Sequence, residues 1–371
     1  MSLLEVRDLR VAFNTPDGVL EAVRGLSFDV DRGTTLAIVG ESGSGKSVAT
    51  QTITGLTTGA RVSGSARFDG TELIGASAEV LRGIRGARIG MIFQDPLSSL
   101  HPYYKVGWQI VEMIRAHDRG VSTDAARRRA AELLAVVGIP HAQSRIDDYP
   151  HQFSGGMRQR VMIAMAMALD PVLLIADEPT TALDVTVQAQ VLSVMRRLQE
   201  EFGTAIILIT HDLGVVAEMS DEVVVMYAGA AMERAPRRTL FYANHHPYSE
   251  GLLGSLPAQG GARARLTPIL GVPPSLIDLP QGCPFVARCP YAFDRCRSET
   301  PPLRSVFDDP QHFSACWLSP VLSEREALRA QRLEGGVAHV PVSATTPEGD
   351  SASKDETAPK GDAVPAEEAS P

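Results

Sequence analysis

The chain has 371 residues, 44% of them apolar and 21% charged, with a net charge of −9. Such a length suggests roughly two or three domains, and the composition is that of a folded globular protein, which excludes wholesale disorder. The longest apolar stretch, Val161 to Leu169, falls far short of the roughly 20 residues that cross a bilayer. The opening residues MSLLEVRDLR carry acids and no long apolar run, so no secretory signal is expected. An acidic balance without a basic run argues against a primary role in binding nucleic acid.

In chain order, Leu36–Val39 is a short apolar run that meets glycines at once, and Ile89–Phe93, Leu173–Ala176 and Ala205–Ile209 are similar runs. Continuous apolar runs of this length predict strands buried on both faces, as in a parallel sheet. Helices are expected over Ser47–Leu56, Asp124–Val137, Gly155–Leu169 and Thr186–Phe202, with a helical insert over about 95–155. After about residue 230 prolines become frequent and periodicity fades, which predicts a second, loop-rich domain over 236–320. Residues 321–371 read as a linker and an acidic tail. The last 35 residues hold seven acids, two lysines and no aromatic residue, too little apolar area to offset chain entropy, so disorder is expected there.

The strongest motif is Gly40-Glu41-Ser42-Gly43-Ser44-Gly45-Lys46-Ser47, placed between a predicted strand and a predicted helix. Glycines let backbone N–H groups curl around phosphate oxygens, and the helix N-terminus adds a favourable dipole. Lys46 is expected on the β- and γ-phosphates of ATP and Ser47 on Mg²⁺. The strand Leu173–Ala176 runs into Asp177 and Glu178. Neighbouring strand residues face opposite ways, so two acids at its tip serve separate tasks: Asp177 for the magnesium shell, Glu178 for the attacking water.

No N-K-x-D guanine-reading motif occurs. Phe153-Ser154-Gly155-Gly156-Met157 resembles the signature of the ABC ATPases, normally L-S-G-G-Q, with Phe153 and Met157 departing from it. In that family this surface contacts the γ-phosphate held by the opposite subunit, which implies roles for Ser154, Gly155 and Gly156 at a partner's ATP. The resemblance extends to Gln94 as the glutamine that senses Mg²⁺, to Thr181-Ala182-Leu183-Asp184 as the D-loop, to His211 as the switch histidine, and to Phe13 as the aromatic stacked on adenine. It implies an α/β fold: an ABC-type P-loop nucleotide-binding domain over 1–235, with the helical insert, plus the small C-terminal domain.

Longer strings are more specific. Residues 37–47 (AIVGESGSGKS), 91–100 (MIFQDPLSSL), 149–167 (YPHQFSGGMRQRVMIAMAM) and 174–190 (LIADEPTTALDVTVQAQ) resemble ATPase subunits of bacterial dipeptide/oligopeptide ABC importers, as does His246-Pro247-Tyr248. His101 stands where that branch has Asn. The resemblance implies two membrane permease subunits, a second ABC ATPase subunit, an extracytoplasmic peptide-binding protein, and a peripheral place on the cytoplasmic face of the membrane. A nickel or other small-solute importer, or a soluble non-transport ABC ATPase, are the alternative readings.

Four cysteines cluster as Cys283-x5-Cys289-x6-Cys296-x19-Cys316. Disulfides are disfavoured in a reducing cytosol. Zinc is one expectation, but no tight C-x2–4-C knuckle is present; free thiols are another. The wide spacing suits a [4Fe–4S] cluster, which some proteins of the resembling branch carry. The cluster is the expectation, with zinc as the alternative.

Overall fold

The computed structural model describes residues 2–95, 99–181, 183–255 and 268–318. The linker and acidic tail, Ala182 and residues 96–98 of the string around Gln94 lie outside them. The strands among the described residues are β1 Ser2–Thr15, β2 Gly18–Asp31, β3 Thr35–Val39, β4 Ala60–Phe68, β5 Thr71–Glu72, β6 Ile89–Ile92, β7 Leu173–Asp177, β8 Ala205–Thr210, β9 Glu222–Tyr227, β10 Ala230–Pro236, β11 Arg304–Ser305 and β12 Phe313–Ser314. The helices among the described residues are α1 Lys46–Ile53, α2 Ala78–Ile84, α3 Val106–His117, α4 Thr123–Val136, α5 Ala142–Arg145, α6 Gly155–Ala166, α7 Val185–Phe202, α8 Leu213–Met219, α9 Arg237–Ala243, α10 Pro247–Gly254 and α11 Asp294–Ser298. None is long and apolar enough to cross a membrane.

Two sheets carry the fold. An antiparallel sheet has the order β2-β1-β4-β5, and an eight-stranded sheet has the order β11-β12-β10-β9-β3-β8-β7-β6. From β6 to β9 the large sheet is parallel. Alternation along its strands explains why their apolar runs are unbroken. On β3, Leu36 and Ile38 enter a core shared with Leu4, Phe28 and Phe68 of the antiparallel sheet, while Ala37 and Val39 enter a core with Tyr248 and Phe285. On β7 and β8, Ile175 and Ile207 join the first of these cores, whereas Leu174, Ala176, Ile206 and Leu208 pack with the helices α3, α4, α6 and α7. Each central strand is thus covered on both faces.

Helix ends follow local chemistry. Ser122, Ser154, Asp184 and Asp212 accept backbone N–H groups as N-caps of α4, α6, α7 and α8. Gly203, at φ 65°, closes α7 in the left-handed region that glycine tolerates. The segment after α10 has little regular structure, yet it returns to the large sheet: Ser314 and Phe313 of β12 pair with Glu233 and Arg234 of β10.

Candidate active site

The phosphate-type loop lies between β3 and α1. Gly40 has φ 153°, and a Cβ there would lie 2.1 Å from the Met226 carbonyl; Gly45 has φ 94°, and a Cβ there would meet the Ala22 carbonyl at 2.1 Å. Only glycine fits either position. Lys46 is buried, and its Nζ donates to the carbonyls of Gly40 and Glu41, both at 2.9 Å. Burial pulls its ammonium below the ordinary lysine value against the attraction of Glu178, Asp177 and Glu41. Ser44 Oγ is 3.4 Å from the same ammonium, while Ser42 and Gly43 sit at the exposed crest of the loop.

The tip of β7 faces this loop. Ser47 Oγ donates to Asp177 Oδ1 at 2.9 Å. Burial, with repulsion from Glu178, raises the Asp177 carboxyl, while Ser47 and Lys46 oppose the rise. Glu178 has φ 48°, an uncommon conformation for a residue with a side chain, held by its N–H donating to Ile209 O at 2.9 Å. Its Oε2 accepts from Gln94 Nε2 at 2.8 Å and from Thr181 Oγ1 at 2.9 Å, and its Oε1 lies 3.3 Å from His211 Nδ1. Burial alone would raise this carboxyl; the bonds from Thr181 and His211 outweigh it and hold it below the usual glutamate value. Glu178 is therefore an ionised acceptor at neutral pH, aimed by three side chains.

The structure thus brings together Lys46, Ser47, Gln94, Asp177, Glu178 and His211. Gly40, Ser44 and Gly45 belong to the same loop, whereas Ser154, Gly155, Gly156 and Asp184 are not brought to it. Ser154 is exposed at the start of α6, which packs on α3, α4, α7 and β6, whereas α1 packs on β1 and β2. Gly155 is exposed beside Ser154, and Gly156 lies against Val187 of α7. Asp184 caps α7 with its carboxylate on Val187 N at 3.0 Å. Phe13, on β1 opposite Leu20, is half-buried against the core between the sheets.

ABC transporter is the family that matches residues 23–181, and the C-terminal region of oligopeptide/dipeptide transporters matches residues 232–296. The oligopeptide transport ATP-binding protein OppD of Salmonella typhimurium is 51% identical over 316 residues, covering 85% of this chain and 93% of that protein. The chain belongs to the oligopeptide/dipeptide transport ATP-binding proteins of the ABC family. The dipeptide transport ATP-binding protein DppD of Bacillus subtilis is 49% identical, over 88% of this chain and 97% of that protein. Among solved structures, the ATP-binding cassette MJ0796, in a dimeric post-hydrolysis state with ADP and Pi, matches with a TM-score of 0.58 and 26% identity. That match covers 63% of this chain and 99% of the cassette. CbiO1 of Clostridium perfringens matches with a TM-score of 0.56 and 30% identity, over 65% of this chain and 90% of CbiO1.

The expected [4Fe–4S] cluster, and zinc with it, is corrected by the structure. Cys283, Cys289, Cys296 and Cys316 do line one cavity, but its volume is about 10 Å³, about the space a single water-sized probe occupies. Among the described residues no group of three or more His, Cys, Asp or Glu is placed to hold a metal. Burial pushes the Cys283 thiol up to about 11 and raises Cys289 as well. Cys283 and Cys296 instead pack as small apolar groups beside Phe285 and Tyr248.

Two features escaped the sequence reading. Thr181 was expected only as part of the D-loop, yet it bonds Glu178. Glu41, an unremarked position of the glycine motif, pairs with Arg288. A contact across 247 positions leaves no local pattern to read.

Proposed function

We propose that this chain is the ATP-hydrolysing subunit of an importer of dipeptides or oligopeptides. The supporting observation is the ionised Glu178, fixed by Gln94, Thr181 and His211 beside Lys46 and the Ser47–Asp177 pair. In this reading residues 40–47 take the phosphates of ATP, with Lys46 released from the Gly40 and Glu41 carbonyls to meet them. Phe13 stacks on adenine. Glu178 accepts a hydrogen bond from the attacking water, Gln94 and Thr181 keep its carboxylate aimed, and His211 turns from Glu178 to the γ-phosphate.

Ser47 and Asp177 offer adjacent hard oxygen donors at the phosphate loop, and a set of few protein oxygens fits Mg²⁺, which keeps waters and binds phosphate. Those two residues and Gln94 would hold the ion, which neutralises phosphate charge when bound.

Ser154, Gly155, Gly156 and Asp184 stand apart from the chain's own phosphate loop, at the N-termini of α6 and α7, and serve the ATP of a second ABC ATPase subunit. ATP then closes the pair and hydrolysis reopens it. The pair works on two membrane permease subunits served by an extracytoplasmic peptide-binding protein, and sits peripherally on the cytoplasmic face of the membrane. Residues 1–235 form the ATPase part and 236–320 its extension.

Glu178→Gln tests the central assignment. In the assembled complex it lowers turnover by about 10²-fold or more while ATP still binds. Unchanged turnover overturns the role of Glu178. Co-sedimentation with membranes only when permease subunits are co-expressed supports the peripheral assignment, and a chain that never sediments with them refutes it.

A further inference from the structure

The phosphate-type loop is gripped from outside by the C-terminal segment. Arg288 lies between Cys283 and Cys289, its side chain only 5% exposed. It sets both terminal nitrogens on one carboxylate: Nη1 donates to Glu41 Oε2 at 2.6 Å and Nη2 to Glu41 Oε1 at 2.9 Å. The guanidinium is itself fixed, donating to Tyr227 Oη at 3.2 Å and to the Leu270 carbonyl at 3.1 Å. The Glu41 amide donates to Tyr248 Oη at 2.9 Å, and the Glu41 carbonyl accepts from Lys46 Nζ. Every polar group of this one loop residue is therefore held, two of the three by side chains from beyond residue 240. A cavity of about 260 Å³ opens beside it, lined by Glu41, Ser42, Gly43 and Ser44 on one side and by Pro273, Pro274 and Leu276 on another.

A carboxylate at this place faces a charge problem. Glu41 stands near enough to Lys46 to act on its charge, so it also stands near the phosphates that Lys46 is to meet. Unpaired, it repels a polyanion; paired two-pronged with a guanidinium, it is neutralised and immobile.

We propose that Arg288 is a positioning residue for nucleotide binding, which neutralises and pins Glu41 so that the loop accepts a nucleoside triphosphate. This rests on the reading of residues 40–47 as the phosphate site. The test is equilibrium binding of ATP with Mg²⁺ to the full chain and its variants, with thermal unfolding alongside. Arg288→Ala weakens binding about tenfold, the size of one uncompensated charge at partial screening. Arg288→Gln does the same where the alanine variant fails to fold. Glu41→Gln combined with Arg288→Ala restores affinity to within about threefold, because the repelling charge is gone. Loss and rescue of affinity at an unchanged melting temperature is what a purely structural role of Arg288 does not give. Wild-type affinity in Arg288→Ala overturns the proposal, as does a double variant as weak as the single one. Lys46→Ala separates the two levels. If it too keeps wild-type affinity, the phosphate-site reading has failed; if it loses affinity while Arg288→Ala does not, only the role of Arg288 has failed.

Discussion

A carboxylate with no exposed surface is tolerable only when its oxygens are engaged, and Glu233 meets that condition. It accepts from His245 N at 2.6 Å and His246 N at 3.0 Å, and from His312 at 2.7 Å. Burial alone would raise this carboxyl; the bonds from His312 and the two backbone amides oppose it, and the value lies below that of ordinary glutamate. Glu233→Gln therefore costs about 3 kcal/mol of stability, read from urea unfolding at neutral pH. Because the folded value is depressed, the carboxylate's contribution is fully present above about pH 4.3 and fades as pH falls through the folded value. The gap between wild type and Glu233→Gln should accordingly narrow on acidification below that point. A gap independent of pH down to acid unfolding would refute the charged network. At this scale the sequence was most legible where chemistry is written locally. The glycine motif and the Asp177–Glu178 tip announced themselves because each is a contiguous string. Glu233 and Arg288 did not, since their partners lie far along the chain, and Tyr248 stood out only within the string His246-Pro247-Tyr248, without its bond to Glu41.

Among elements, the contact between α6 and α7 is the tightest approach next to the signature. A Cβ on Gly156 would lie 2.3 Å from Val187 Cγ1, a distance no packing tolerates. Gly156→Ala therefore forces the two helices apart and costs about 1–3 kcal/mol, measured as a shift in the urea midpoint. Adding Val187→Ala, which removes the obstructing methyl groups, recovers most of the loss. An additive double variant would show that the strain lies elsewhere. The strands β3, β7 and β8 were readable as unbroken apolar runs, because cores on both faces remove the usual alternation. Helix ends were less so. The first helix was expected to reach Leu56 but stops at Ile53, ahead of Gly55 at φ 66°. The hairpin of β1 and β2 escaped notice. Its register shifts between Val6 and Leu9, where Asp8 has φ 45°, and the shift scrambles the period of two that would have revealed it.

For the whole molecule, the C-terminal extension is part of the core and not an appendage. Tyr248 and Phe285, both fully buried, pack against Tyr227 of β9, the first tilted at a ring-centroid distance of 4.7 Å and the second edge-on at 5.3 Å, in one core with Ala37 and Val39 of β3. A chain ending at Pro236 lays that face bare. It should bind a hydrophobic dye strongly and associate in size-exclusion chromatography, where the full chain does neither. A truncated chain that stays monomeric and dye-silent would mean that the extension covers nothing essential. Proline-rich texture predicted a second, loop-rich domain, and it concealed that the described residues of this region complete the sheet and a core. The wide cysteine spacing misled in the same way, since thiols packed as apolar groups around a small void follow the shape of the core rather than a ligand geometry.

One pairing has a consequence for synthesis. The outer edge of β10 is covered only when Ser314 and Phe313 reach Glu233 and Arg234, partners separated by about 80 residues. At ribosomal rates of roughly 5–20 residues per second, that edge stays uncovered for on the order of ten seconds. Through that interval the nascent chain presents an open strand to any neighbour emerging beside it.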